Sequence, residues 1–226
     1  MLSPRSDVIL QVGSVLLWLA LVGGCSEGAR RLGGNAELTR KIVHIGAGQV
    51  ILLAWWLSIP AWMGITASVL FAGIALLSYR LPILPGINSV GRKSFGTCFY
   101  AVSFGLIMAA FWPIHQPYYG VIGILTMSWG DGLAALIGQR FGRHSYQVLN
   151  QTKSWEGSLT MLLVSFMLTA GVLISIQGAI WQTWAVAGMV ALVATSLETI
   201  SQFGIDNLTV PLTAAMVAFG LNSLWQ

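Results

Sequence analysis

Residues Ser128–Ser158 read SWGDGLAALIGQRFGRHSYQVLNQTKSWEGS. The stretch opens at the end of a run apolar enough to cross a membrane, yet Asp131 sits inside that run. It then passes through Gly138, Arg140, Phe141, Gly142 and Arg143 and ends on Lys153-Ser154-Trp155-Glu156-Gly157-Ser158, where a second apolar run begins. Two spans joined by a charged connection define a polytopic membrane protein. Composition extends this to the whole chain: 8% of the 226 residues are charged and 56% are hydrophobic, against roughly a quarter charged in soluble domains.

Spans of roughly 17–25 apolar residues fall at 8–24, 43–59, 61–79, 95–113, 118–139, 157–177, 181–200 and 207–225. The fold class expected is an all-α, polytopic transmembrane helical bundle of about eight helices (seven to nine), forming one domain over residues 1–226. Pro211 is expected to shorten or kink the last helix. Trp55, Trp56, Trp62, Trp112, Tyr118, Tyr119, Trp181 and Trp184 lie near the span ends, as an interfacial aromatic belt does. Two cysteines, Cys25 and Cys98, form neither a disulfide framework nor a CxxC metal pattern. LVGGC, ending at Cys25, has the look of a lipid-attachment site, but only Arg5 precedes the apolar run, so 8–24 is expected to be a retained first helix.

Ten of the eleven basic residues fall on alternate connections: Arg30, Arg31, Arg40 and Lys41; Arg80, Arg92 and Lys93; Arg140, Arg143 and Lys153. The positive-inside rule makes that face cytoplasmic and puts both termini opposite. Attraction to anionic headgroups accounts for Arg30 and Arg31. Four of the seven acids, Asp131, Glu156, Glu198 and Asp206, approach the same face. An Asp near a helix centre costs roughly 2.5–3.5 kcal/mol to insert, which makes an intramembrane acid a functional-site hypothesis. No base follows Lys153, so Glu198 and Asp206 either pair with loop cations in space or hold a metal ion.

Asp131, Ala135, Gly138 and Gly142 share a helical face, whose small residues admit a neighbouring helix or a ligand. Asp131 is then either an acid hydrogen-bonded within a packing face or a Mg²⁺ ligand or base. Arg140, Arg143 and Lys153 surround the two glycines, and Ser154 is expected to cap a helix starting at Trp155, whose free N–H groups suit an anion. Gly157 would let a phosphate approach the backbone, and Glu156 is expected to orient Lys153. Upstream, ELTRKIVHIGAG puts Arg40 and His44 on one face and offers a Glu37–Lys41 pair. GINSVGRKSFGT misses the P-loop register by one residue and has no preceding strand, although Arg92 and Lys93 remain candidates for phosphate. In ETISQFGIDNLTVPL, Gly204 ends one helix and Asp206-Asn207 opens the next; capping explains Asp206 or Asn207 but not Glu198.

Taken together, RKIVHIGAG, GRKSFGT, GDGLAALIGQRFGRHSY, KSWEGSLTM and ETISQFGIDNLTVPL resemble the membrane polyprenol kinases. That group comprises phytol, dolichol and farnesol kinases and is related to the CDP-diacylglycerol synthases. The pieces cover Arg40 to Leu212 in order, and the compact length and KSWEGSLTM come closest to the phytol kinases of photosynthetic organisms. The resemblance implies phosphorylation of a long isoprenoid alcohol, phytol foremost, with CTP as donor. Phytyl phosphate of this kind feeds tocopherol and related quinone synthesis, and a plasma or thylakoid membrane of a photosynthetic bacterium is the expected location. The expected site combines Mg²⁺ on Asp131, Glu198 and Asp206 with a base among Asp131, His44 and Glu198. Nucleotide would lie on Arg140, Arg143, Lys153, Ser154, Glu156, Gly138, Gly142, Arg92 and Lys93, with Arg40, Lys41 and Asn207 nearby.

The partners expected are the alcohol, a nucleoside triphosphate and the bilayer, not nucleic acid; oligomeric state is not legible. Three rivals share parts of this pattern: a dolichol-, farnesol- or geranylgeraniol-type kinase, a cytidylyltransferase, and a small ion or proton-coupled transporter. Against the transporter, the acids gather at one face and no internal repeat is visible.

Overall fold

The computed structural model describes residues 4–79, 95–149 and 151–225. Apolar sequence with few charges folds as helix because every backbone polar group must be satisfied internally in lipid. The chain forms α1 (Pro4–Arg31), α2 (Ala36–Gly48), α3 (Val50–Trp56), α4 (Ala61–Ser78), α5 (Gly96–Phe111) and α6 (Pro117–Leu125). A π-turn over Thr126–Asp131 leads into α7 (Gly132–Phe141). A β-hairpin, β1 (Ser145–Val148) and β2 (Gln151–Ser154), precedes α8 (Trp155–Gln177), α9 (Trp181–Ile200) and α10 (Asp206–Trp225).

Counting α2–α3 and α6–α7 as single interrupted passages, the described residues make eight helical passages, as the apolar spans predict. Six helices are long and apolar enough to cross a membrane. Three details differ from expectation. The second passage starts at Ala36, seven residues before the predicted start, because Asn35 caps it by accepting from the Leu38 N–H. The loop after α7 contains the hairpin, which the spacing of charges did not announce. Pro211 lies inside α10 without ending it.

The core is built by α5, α6, α9 and α10, with Ile107, Met108, Val121, Ile122, Val186, Val190 and Ala218 wholly enclosed. Outward-facing Leu16, Leu17, Val69, Leu70, Leu163 and Met167 are exposed, the pattern of a bundle whose solvent is lipid. Close backbone contact replaces large side chains at key crossings: a Cβ on Gly123 would lie 2.3 Å from the Pro211 carbonyl oxygen. The passage through α6, the π-turn and α7 is the most enclosed, with two thirds of its apolar window buried against about a tenth for α1. Asp131 therefore lies inside the protein and not against lipid.

The two ends of the bundle differ. At one end, the Phe95 N–H donates to the Phe203 carbonyl and Gln202 Nε2 donates to the Leu149 carbonyl, tying α5, the hairpin and the α9–α10 turn together. At the other, Gln11 bonds to Leu57, Gln177 to Asn222, and Trp181 packs on Trp225. The start of α1 and the end of α10 thus lie away from the charged end, as the alternation of basic connections predicts.

Candidate functional site

At the charged end, α2 runs beside the π-turn and α7. Gly48 makes this approach possible: an added Cβ would meet Ser128 Oγ at 2.3 Å. A second contact lies about one turn along the same crossing, where Gly132 abuts Ile45. The consequence is that Lys41 is driven into the bundle, 2% exposed, with Nζ 2.6 Å from Asp131 Oδ2 and 3.4 Å from the Asp131 carbonyl. His44, one turn further along α2, places Nε2 3.3 Å from the same Oδ2. Asp131 closes the π-turn over Thr126–Asp131, a distortion of helix often found at functional sites. The Nε2 atom itself is buried and makes no hydrogen bond.

The Glu37–Lys41 pair expected from spacing does not form. Glu37 instead binds Arg40 at 2.6 Å, and Lys41 is spent on Asp131. Burial works against the charge on Glu37, but the Arg40 hydrogen bond and charge outweigh it and hold the carboxyl below its usual range. Arg40 is correspondingly held above its own, its burial again outweighed by Glu37.

A second ion pair joins the hairpin to α9. Lys153 Nζ lies 2.6 Å from Glu198 Oε1 and also donates to the Glu198 carbonyl. Lys153 is thus the partner Glu198 lacked in the sequence, and Glu156 does not orient it. Glu156 turns the other way: it accepts from the Arg143 and His144 backbone N–H groups and pairs with the His144 ring at 2.9 Å. Ser154 caps α8 as expected, accepting from the Gly157 N–H, while the Trp155 N–H donates to the His144 carbonyl. These bonds already employ two of the N–H groups that an anion at this terminus would use.

The space at the glycines is also accounted for. A Cβ on Gly138 would sit 2.8 Å from Ser154 Oγ, and one on Gly157 would sit 3.0 Å from the Ala134 carbonyl oxygen. Gly138, Gly142 and Gly157 therefore let α7 and α8 pack backbone to backbone, the neighbouring-helix alternative of the two that the small residues allowed. Arg140 and Arg143 are exposed above this crossing, Arg140 lying over the Phe141 ring. Arg92 and Lys93 lie outside the described residues.

Gly204, at φ +83°, turns the chain between α9 and α10. Asp206 opens α10 and accepts from the adjacent Asn207 N–H, a bond one residue on and not the cap to the second or third helical N–H. It lies within electrostatic reach of Asp131, Lys41 and Glu198, and among the described residues it has no ion pair. Asn207 is buried with its Oδ1 unpartnered.

Among the described residues, no three His, Cys, Asp or Glu side chains converge tightly enough to hold a metal ion by themselves. Mg²⁺ commonly takes one or two carboxylates together with phosphate oxygens and water.

The chain is 54% identical over 217 residues to a phytol kinase of Synechocystis sp., covering 96% of this chain and 93% of that protein. The chain belongs to the phytol kinase family. A probable chloroplastic phytol kinase of Triticum aestivum is 31% identical, with 96% of this chain and 80% of the relative covered. Phytol kinase 1 of Arabidopsis thaliana is 31% identical, with 81% and 66% covered. No protein-family model matches the chain, and no solved structure matches it. In this phytol kinase family member, two features of the site escaped the residue patterns. The π-turn has no propensity signature, and Tyr100, whose Oη donates to the His44 carbonyl at 2.9 Å, reads as one more aromatic of an apolar span. The available signal was its hydroxyl, which needs a partner when buried.

Proposed function

We propose that this protein phosphorylates a long-chain isoprenoid alcohol, phytol foremost, using CTP, at the cytoplasmic face of its membrane. The observation that carries the proposal is the meeting of Lys41, His44 and Asp131, buried together at the end of the bundle where Lys153, Glu198 and Asp206 also gather. The names of the relatives supply the alcohol; the donor follows from the resemblance of the motifs.

Phosphoryl transfer demands positioning and charge neutralisation more than covalent chemistry. The alcohol's tail would lie in the apolar bundle or against lipid, its hydroxyl at the level of Asp131. The hydroxyl oxygen attacks the terminal phosphorus of CTP, the bond from that phosphorus to the β-phosphate oxygen breaks, and CDP leaves. The hydroxyl proton passes to His44 Nε2. His44 Nε2 is buried without a hydrogen-bond partner, and a neutral imidazole can take a proton at such a nitrogen. The Asp131 carboxylate at 3.3 Å then stabilises the imidazolium that forms. Lys41, Lys153, Arg140 and Arg143 balance phosphate charge from the bundle and the hairpin. Mg²⁺ bound with the nucleotide would take one or two carboxylates from among Asp131, Glu198 and Asp206, and would neutralise charge on the phosphate oxygens.

The test is incubation of purified protein with phytol, terminally labelled CTP and Mg²⁺. Label in phytyl monophosphate together with CDP supports the proposal. Release of pyrophosphate from CTP when a lipid phosphate is supplied, with no transfer to alcohol, assigns a cytidylyltransferase instead. Replacing phytol by farnesol, geranylgeraniol or dolichol, and CTP by UTP or ATP, ranks the substrates.

A further inference from the structure

We infer that Tyr100 is a positioning residue for His44, reaching the site from α5, a helix that contributes no charged residue to it within the described chain. The inference rests on the role proposed above for His44. Tyr100 Oη donates to the His44 carbonyl at 2.9 Å. The two rings also meet edge to face, with centroids 5.0 Å apart and planes at 70°. One tyrosine thus holds both the backbone and the imidazole of one residue.

The second observation is the fit of α2 itself. A Cβ at Gly48, one turn beyond His44, would meet Tyr100 Oη at 3.0 Å as well as Ser128 Oγ at 2.3 Å. Tyr100, the π-turn and the α2 backbone are therefore packed to contact with no spare volume. The helix is interrupted directly afterwards, since the Gln49 N–H bonds to the Gly46 carbonyl and α3 restarts at Val50. Trp18 Nε1, which donates to the Gly46 carbonyl, and the Lys41–Asp131 pair hold α2 on other sides. The Tyr100 bond adds a hold at His44 itself, and the ring contact restricts the imidazole to the rotamer that faces Asp131. A buried tyrosine satisfied by any convenient carbonyl would explain the hydrogen bond alone. It would not explain why the same tyrosine also meets the His44 ring edge to face.

The test uses the full-length protein in detergent, with Tyr100→Phe as the main variant and Gly48→Ala as the second. Tyr100→Phe keeps the ring contact and loses the hydrogen bond. It is expected to lower kcat about tenfold while KM for CTP and phytol stays within about twofold, the mark of a misplaced reacting group. The chain has three histidines, so ¹⁵N-histidine labelling yields a countable set of ring signals, assigned with His115→Gln and His144→Gln. The His44 ring signals are expected to move in Tyr100→Phe and further in Gly48→Ala. Unmoved His44 signals in both variants overturn the inference, whether or not activity falls. A kcat equal to wild type in Tyr100→Phe also overturns it. If the wild-type protein transfers no phosphate to phytol, the proposed function fails by itself, and the ring signals still report whether Tyr100 holds His44.

Discussion

Lys41 Nζ and Asp131 Oδ2 lie 2.6 Å apart across 90 residues of sequence, in a bundle that leaves Lys41 2% exposed. A buried pair contributes little net stability when intact, yet removal of one partner strands the other charge at a cost of roughly 3–5 kcal/mol. Asp131→Asn is therefore expected to abolish phosphorylation and also to lower the thermal midpoint. Adding Lys41→Met should recover much of the midpoint without recovering activity. A double-mutant cycle on detergent-solubilised protein measures this, and additive losses would show the pair to be uncoupled.

Lys153 ties the hairpin to Glu198 on α9. Lys153→Ala is expected to raise KM for CTP by at least about tenfold, the loss of one charge-assisted contact. It should also make the hairpin more open to proteolysis between Ser145 and Ser154. An unchanged CTP dependence would remove Lys153 from the nucleotide site, leaving it a structural tie.

The helix crossings give a prediction free of chemistry. Gly123→Ala places a methyl group 2.3 Å from the Pro211 backbone oxygen, so α6 and α10 must separate, with a loss of roughly 1–3 kcal/mol. Gly171→Ala, with nothing within 4 Å of the added carbon, should be neutral or stabilising by up to about 1 kcal/mol. Thermal midpoints of the two variants, measured side by side, should move in opposite directions or at least differ clearly.

Glu37 supplies a pH dependence with a definite sign. Its carboxyl is held below the ordinary glutamate range by Arg40 in the folded protein. Its contribution is thus fully present above about pH 4.3, the ordinary glutamate value, and fades as pH falls through the lower folded value. The midpoint difference between wild type and Glu37→Gln should be constant from neutral pH down to that range, then shrink in more acidic buffer. A difference that grows on acidification would contradict the assignment.

Much of this protein was decided by sequence alone. Charge scarcity and eight apolar runs dictate a helical bundle in lipid, because nothing else satisfies the backbone there. Basic residues on alternate connections put most of the charge at one end, and the Ser154 cap and the turn at Gly204 are local chemistry readable from a few residues. Pairing across the bundle was not readable. Lys41 has Glu37 four residues away, and Lys153 has Glu156 three residues away, so helical spacing favours partners that the fold rejects. Each lysine goes to an acid on another element because burial removes competing water and makes the enclosed partner the stronger one. The glycines of α7 and α8 could have admitted a ligand or a helix, and only packing showed that a helix takes the space. The same holds for the π-turn and for Tyr100, whose roles exist only once α2, α5 and α7 are laid side by side. Sequence determined that a charged acid would be buried at this end of the bundle; tertiary structure decided which lysine neutralises it and which histidine faces it, since those contacts depend on how closely the helices can approach.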